Sequence, residues 1–391
     1  MGTHSDVVVI GGGINGVSIA FHLAKHKLKV TLVEKNFIAS GPTGLSSAVI
    51  RQHYSNPVTI RMAHQSLKVW RNFADVIGGD PDFTRAGFIV GVVPTDLDSL
   101  KANIELQKAE GVKTRFVPLE EIPEIEPHVD TTGLGGAAYE PDSGYCDPAA
   151  AANGFAKAAR ALGVKICTGV KANGFKIETD KVVGVETDQG FIPTGAVVVA
   201  CGPWTPILLN TIGVELPMIT ARVKTVLYRL PDDLDHHHVW ADFANQVYFR
   251  PETGNLILVG SISPQEAEDQ VADPDNYKET VGLDIVSEFA EQVVKRIPAM
   301  IGSHLVNSFA ALYDITPDWH PVLDAVPGFE SLFVCAGSSG HGFKLAPAVG
   351  AMMAHLVLHG KDPHDDINLF SFDRFDHGNF VRGQYEYSIL G

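Results

Sequence analysis

Val7-Val8-Val9-Ile10-Gly11-Gly12-Gly13-Ile14-Asn15-Gly16 is the stretch on which the fold turns. Its first four residues are an unbroken apolar run rich in β-branched side chains, the composition of a strand buried on both faces of a parallel sheet. Its glycines fit G-x-G-x-x-G. A helix is expected over 17–27, with Ile19, Ala20, Leu23 and Ala24 on one side, and a second strand over 29–33 that ends at Glu34. Strand, glycine turn, helix and second strand make one βαβ unit. Glu34 falls about 20 residues after the glycines, where a ribose-binding carboxylate belongs. Gly11 permits the tight turn, Gly13 lets backbone approach a pyrophosphate, and Gly16 lets the helix pack closely on the strand. The free N–H groups at the helix start then face the phosphates. Glu34 would repel a 2′-phosphate, which disfavours NADP; the motif alone does not separate FAD from NAD.

The chain has 391 residues, 46 acidic and 30 basic, for a formal charge of −16. That balance argues against nucleic acid and anionic membrane surfaces, both of which draw on clustered Lys and Arg. Apolar residues are 45% and charged residues 19%, enough for a sizeable core and against disorder. The four cysteines, Cys146, Cys167, Cys201 and Cys335, form no C-x-x-C pair and no zinc spacing, and are expected to be buried reduced thiols. No membrane-spanning apolar run and no signal-peptide pattern is present, so the expectation is a cytoplasmic protein. The triplet His236-His237-His238 is not read as a metal site, because adjacent residues do not converge on one point.

A helix is expected over 57–76, a strand over 88–93, a polar helix over 96–110 and another helix over 155–162. Three short strands follow, at 164–167, 174–178 and 182–187. The run 196–202, closing on Gly202, returns the chain to the dinucleotide sheet. Strand-rich segments at 223–230, 246–261 and 308–313 form a second region. A strand at 332–335 then enters Ala336-Gly337-Ser338-Ser339-Gly340-His341-Gly342-Phe343-Lys344, followed by a helix over 347–358 with Pro347 in its first turn. The fold class is α/β with α+β elements: a Rossmann-like FAD-binding domain (1–82, 147–218 and 318–391) with an interleaved substrate domain on a large mixed β-sheet (83–146 and 219–317). A cofactor long enough to touch both glycine-rich junctions is a flavin dinucleotide, its pyrophosphate at the first and its ring near the second.

Beyond 11–34, further markers are Ile50-Arg51 with Tyr54, Ala200-Cys201-Gly202-Pro203-Trp204, Tyr248 to Pro251 before Gly254, Thr316-Pro317-Asp318, and Ser339 to Lys344. With these the chain resembles the flavoprotein amine and amino-acid oxidoreductases related to D-amino-acid oxidase. The branch holding sarcosine oxidase, dimethylglycine dehydrogenase and glycine oxidase is the most similar, and the resemblance covers nearly the whole chain. It implies that Arg51 and Lys344 clamp a substrate carboxylate over the flavin and that Tyr248 lines the substrate cavity; these three are the catalytic candidates. Tyr54 and His53 are further cavity candidates, and Arg250 is a candidate second anion site. The resemblance also implies a cofactor cradle. Its first part is Gly11, Gly13, Ile14, Asn15 and Gly16, with Glu34 and Lys35. Thr43, Gly44, Ser46, Ser47 and Val170 continue it. Cys201, Gly202 and Trp204 follow, and then Gly337, Gly340, His341, Gly342, Phe343 and Lys344.

Departures from the family pattern carry information. Ala311 stands where one branch has a flavin-linking Cys, and the region of Leu45 lacks the His used by another, so FAD is expected to be non-covalent. Leu258 stands near the place of an oxygen-activating Lys, which favours a dehydrogenase over an oxidase. The implied activity is oxidation of the C–N bond of a small amino acid, a secondary or tertiary amine. Hydride passes to flavin N5, the imine hydrolyses, and the electrons leave to an unidentified acceptor. A D-amino-acid or glycine dehydrogenase is the alternative within this chemistry. An alternative of another class is a partner-dependent flavin subunit of a hetero-oligomeric dehydrogenase; both a homo- and a hetero-oligomer are compatible with the sequence.

Overall fold

The apolar run at the N-terminus forms strand Ser5–Ile10, and its two faces feed two separate cores. Val7 and Val9 pack with Leu23, Phe155 and Met353, whereas Val8 and Ile10 pack with Val185, Leu209 and Val334. Burial on both sides is why every position of the run is apolar. This computed structural model describes residues 4–361 and 364–383. The first sheet runs in the order Val322–Ala325, Leu332–Ala336, Gly190–Val199, Ser5–Ile10, Val30–Glu34 and Lys165–Thr168, with Lys181–Thr187 and Ala172–Glu178 continuing as a meander from Gly190–Val199. Its central pairs are parallel, as right-handed βαβ crossovers require.

The second sheet has the order His304–Ile315, Ile219–Arg229, Leu256–Ser261, Val247–Glu252, Val239–Asp242, Phe88–Val92, Gly136–Glu140 and Arg115–Val117. One face carries Trp240, Phe249 and Val259 against helix Leu283–Arg296. The opposite face carries Ala241, Tyr248 and Thr225 and, two and four residues along strand His304–Ile315 from the Thr225 partner Phe309, Ala311 and Tyr313. That second face looks toward the glycine-rich junctions of the first sheet, and the site forms between them.

Several element bounds differ from expectation for identifiable reasons. The first helix is Ile14–Lys25, three residues earlier than expected, so Gly16 lies inside it. The segment 57–76 divides into Pro57–Arg71 and Phe73–Val76 at Asn72. Helix Pro148–Ala161 begins seven residues ahead of the expected 155 because Asp147 caps it, accepting the Ala150 N–H at 2.7 Å, and Pro148 fills the first turn. The strand expected over 196–202 is Gly190–Val199; it stops where Gly202, at φ +53°, turns the chain. The last long helix is Gly342–His359, so Pro347 sits in its interior and not in its first turn. Two of the four cysteines, Cys167 and Cys201, are only partly buried, and all four are free thiols. Among the described residues no helix is long and apolar enough to cross a membrane.

Candidate active site

The first junction is shaped by close approach. Gly11 has φ +113°, and a Cβ there would stand 2.2 Å from the Ala200 carbonyl oxygen; a Cβ on Gly16 would stand 2.0 Å from the Gly11 carbonyl. No larger residue fits either place. Helix Ile14–Lys25 starts without a side-chain cap at Gly13, and the Ile14 N–H points to the Thr43 hydroxyl at 3.0 Å. This leaves a helix N-terminus open to an anion. Glu34 Oε2 accepts the Gly12 N–H at 2.7 Å and Oε1 accepts the Asn36 N–H at 2.8 Å, which fixes the carboxylate at the strand end.

The second junction is held by groups from two other helices, Ile14–Lys25 and Pro57–Arg71. Pro347 has no N–H to give Phe343 and disturbs the next turns. The loosened backbone is answered from outside: Trp70 Nε1 donates to the Lys344 carbonyl at 3.0 Å, and Ser18 Oγ donates to the Ala346 carbonyl at 2.8 Å. Ser66 Oγ accepts the Ala348 N–H at 3.2 Å. Trp70 also stacks on Phe343, with ring centroids 5.2 Å apart. Asn15 Nδ2 reaches Ser338 Oγ at 3.2 Å and ties the two glycine-rich junctions together. Gly340, at φ +83°, lets the backbone pass within a few ångströms of the Tyr313 ring, where a Cβ would stand 2.7 Å away.

Between the junctions lies a cavity of about 600 Å³, lined by Gly11 to Asn15 at one end and by Gly340, Gly342, Phe343 and Lys344 at the other. A smaller cavity of about 60 Å³ adjoins it, with Arg51 and Lys344 facing Val49, Phe88, Val239, Ala241 and Ile262. Tyr248 and Tyr313 belong to both. Arg51 is 4% and Lys344 7% exposed, and among the described residues neither has a carboxylate within ion-pair distance. Arg51 donates to the His53 carbonyl and lies 4.3 Å above the Tyr54 ring; Lys344 Nζ donates to the Gly340 carbonyl at 3.1 Å. Burial, and then the Arg51 charge, holds the Lys344 ammonium well below the usual lysine range. Two desolvated cations beside an apolar pocket make a receptor for one small carboxylate.

The expected site residues divide by location. Ile14, Asn15, Glu34, Lys35, Thr43, Ser46, Ser47, Val170, Cys201, Gly202 and Trp204 line the large cavity. Gly16, Gly44 and Gly337 stand behind the wall, where they allow backbone and side chains to close up. His341 lines neither cavity; it is buried, its Nδ1 3.1 Å from the Tyr54 hydroxyl. Tyr54 is fully buried beneath Arg51 and His53 faces Gln107 at 3.1 Å, so both support the Arg51 turn from outside the cavities. Arg250 is outside both cavities as well. It pairs with Glu252 at 2.9 Å and donates to the Ser47 carbonyl at 2.8 Å.

Leu258 is also absent from both linings: it pairs with Arg250 and Leu227, two residues beyond the row that holds Tyr248. The lysine that does reach the wall from this sheet is Lys224, tied to Asp269 at 2.9 Å and Glu266 at 3.3 Å. Sequence reading missed Lys224, Tyr313, Asp314, Ser338 and Asp275, all of which line the large cavity. Tyr313 and Asp314 stand just ahead of the Thr316-Pro317-Asp318 marker, a proximity that was the available signal. Asp275 bonds Trp204 Nε1–H at 3.0 Å and pairs with Lys35 across the cavity mouth, which nothing local in the sequence announces.

A dinucleotide cradle that opens on a buried pocket bearing two cationic side chains is the layout of a flavin-dependent oxidoreductase. The cradle fits FAD: glycines that admit no Cβ, an uncapped helix start, a fixed acid at the strand end, and a cavity that reaches the second junction. Residues 6–356 match the family model described as FAD dependent oxidoreductase, and the chain belongs to that family. It is 30% identical over 94% of its length to 4-methylaminobutanoate oxidase (formaldehyde-forming) of Paenarthrobacter nicotinovorans, but spans only 46% of that relative. It is 25% identical to sarcosine oxidase subunit beta of an Arthrobacter species, over 96% of this chain and 92% of the relative. L-proline dehydrogenase from P. horikoshii superposes with a TM-score of 0.89 at 30% identity, covering 97% of this chain and all of that one.

Proposed function

We propose that this protein oxidises the C–N bond of a small amino acid whose nitrogen carries a carbon substituent, as in an N-methyl or imino acid. The observation that carries this reading is the pair of buried cations, Arg51 and Lys344, without an ion-pair partner among the described residues and facing one small apolar pocket. The substrate carboxylate lies on both cations, and Val49, Phe88, Val239, Ala241 and Ile262 receive its apolar part and exclude water. The two cations also disfavour the ammonium form of the substrate and so keep a lone pair on the reacting nitrogen. Tyr248 and Tyr313 flank the entry between the cavities and orient the amine; burial pushes both phenols up, so both stay protonated donors. FAD, held non-covalently, supplies the two-electron acceptor. Positioning and electrostatics account for most of the rate.

Sarcosine, proline and 4-methylaminobutanoate, which the relatives' names carry, each combine a secondary amine with a carboxylate, and this supports the substrate class. Lys224, the cation on the opposite wall, is neutralised by Asp269 and Glu266, which supports a dehydrogenase over an oxidase. The division into FAD-binding (1–82, 147–218, 318–391) and substrate (83–146, 219–317) parts is supported by which strands join which sheet. Four free thiols are consistent with a reducing, cytoplasmic setting. Assembly with a second subunit is the further reading, supported by similarity along 92% of a protein named as a subunit.

The test is the visible spectrum of the purified protein under anaerobic addition of sarcosine, dimethylglycine, proline, iminodiacetate, glycine and D-amino acids. Bleaching by an N-substituted amino acid supports the proposal. Bleaching only by primary D-amino acids replaces the substrate class, and no bleaching by any of them overturns it for the isolated chain.

A further inference from the structure

We propose that Glu140 is a positioning residue for the substrate clamp: it holds the turn that carries Arg51 and, from beyond ion-pair distance, biases the guanidinium charge that a bound substrate carboxylate meets. This rests on the reading of Arg51 and Lys344 as that clamp. Glu140 ends strand Gly136–Glu140 of the second sheet and is 1% exposed. Its Oε2 accepts the Gln52 N–H at 2.9 Å and the Ser143 hydroxyl at 2.7 Å. The first bond fixes the backbone one residue after Arg51. Gln107 Nε2 braces the same turn from the other side through the Tyr54 carbonyl, at 3.1 Å. Glu140 Oε1 has no hydrogen-bond partner among the described residues, and His53 Nδ1 stands 3.9 Å from it.

A neutral acceptor would satisfy both bonds, so the carboxylate itself calls for a reason. The groups that face it are Arg51, His53 and Tyr54 on the turn and Ser143 on its own side. Burial and then Arg51 push the His53 imidazole down to about 3, and burial lifts the Tyr54 phenol to about 12, so neither carries charge at neutral pH. Arg51, beyond ion-pair distance, is therefore the cation whose field reaches Glu140. Burial raises the Glu140 carboxyl, the Ser143 and Gln52 hydrogen bonds and Arg51 pull it back, and the balance falls at about 7. Below that pH Glu140 is neutral and Arg51 offers its full charge to a ligand. Above it, Glu140 is ionised and the ligand meets a partly answered cation. Carboxylate binding then draws a proton onto Glu140.

The probe is acetate, ionised throughout the range used, titrated into the FAD-loaded enzyme and followed by the flavin absorbance. Its dissociation constant is expected to rise roughly three- to tenfold from pH 6 to pH 8.5, a coupling of about half to one pKa unit. Glu140→Gln, which keeps an acceptor for Gln52 and Ser143, is expected to remove that rise. Its KM should fall at high pH while kcat stays within about twofold. Glu140→Ala, which also drops the anchor, is expected to raise KM at every pH. A Glu140→Gln profile that superposes on wild type overturns the inference. Arg51→Gln separates the two levels: if it leaves acetate binding unchanged, the clamp reading itself falls, whereas weakened binding with an unaltered Glu140→Gln profile removes only the role of Glu140. Calorimetry of acetate binding to the unmutated enzyme at pH 7, in two buffers of different ionisation enthalpy, is a check independent of any variant's folding; absence of net proton uptake overturns the proposal.

Discussion

Replacing Lys344 by Met is expected to impair substrate binding while leaving the fold as stable as before or more so. The side chains are similar in length and in helix propensity, so the turn of helix Gly342–His359 that holds them has no reason to shift. The Lys344 ammonium has one hydrogen-bond acceptor within the protein, the Gly340 carbonyl at 3.1 Å, and no carboxylate partner among the described residues. Burial and Arg51 hold it well below the usual lysine range. The sign follows from linkage: the unfolded chain binds this proton more readily than the folded one, so wild-type stability rises with pH toward the ordinary lysine range. Met removes that slope and the cost behind it. The substrate complex loses a desolvated charge-assisted contact, worth roughly 2–5 kcal/mol, or about thirtyfold to several thousandfold in affinity for the reacting complex. Anaerobic stopped-flow bleaching of the flavin reads the second quantity, and thermal melting of the FAD-loaded enzyme across pH reads the first. Unchanged bleaching kinetics would refute the clamp, and a lower melting temperature with loss of FAD would refute the view of Lys344 as a cation kept for function at a cost in stability.

Gly16→Ala is expected to yield protein without FAD, because the new Cβ meets the Gly11 carbonyl at 2.0 Å; stoichiometric flavin in the purified variant contradicts this. Trp70→Phe keeps the stacking on Phe343 but leaves the Lys344 carbonyl unpaired beside Pro347, and should cost about 1–3 kcal/mol in denaturant unfolding. Asp275→Asn removes the ion pair with Lys35 at the cavity mouth and should speed FAD release a few-fold at low salt and hardly at all at high salt. Burial raises the Asp314 carboxyl to about 6, so its ionisation above that pH opposes folding. Asp314→Asn should therefore melt higher than wild type at pH 8, with the advantage shrinking below pH 6 and gone near the ordinary aspartate range. An advantage that grows with acidity would show the sign to be wrong.

The features readable from the residues alone were local ones. The glycine cradle, the strand and helix around it, Glu34 and the second glycine junction were legible because each depends on backbone sterics and on neighbours within about thirty residues. Even there, tertiary contact moved boundaries. Helix Gly342–His359 passes through Pro347 because Trp70, Ser66 and Ser18, from two other helices, answer the disturbed backbone, and no window around Pro347 contains them. Arg51 and Lys344 could be picked out as a proposed clamp, but that neither has a direct ion-pair partner among the described residues could not. Arg250, the candidate second anion site, is paired with Glu252 and stands two residues along its strand from Tyr248 in the wall. Leu258 and Lys224 exchanged importance for a similar reason: which of two strands reaches a cavity depends on register across a sheet, and register is set by pairing between segments tens of residues apart. Glu140, Asp314 and Asp275 acquire meaning only through what faces them. A carboxylate in a sequence is one more surface charge until the fold buries it beside Arg51, places it in the wall of a cavity or bridges it to Lys35, and long-range packing alone decides which of these occurs.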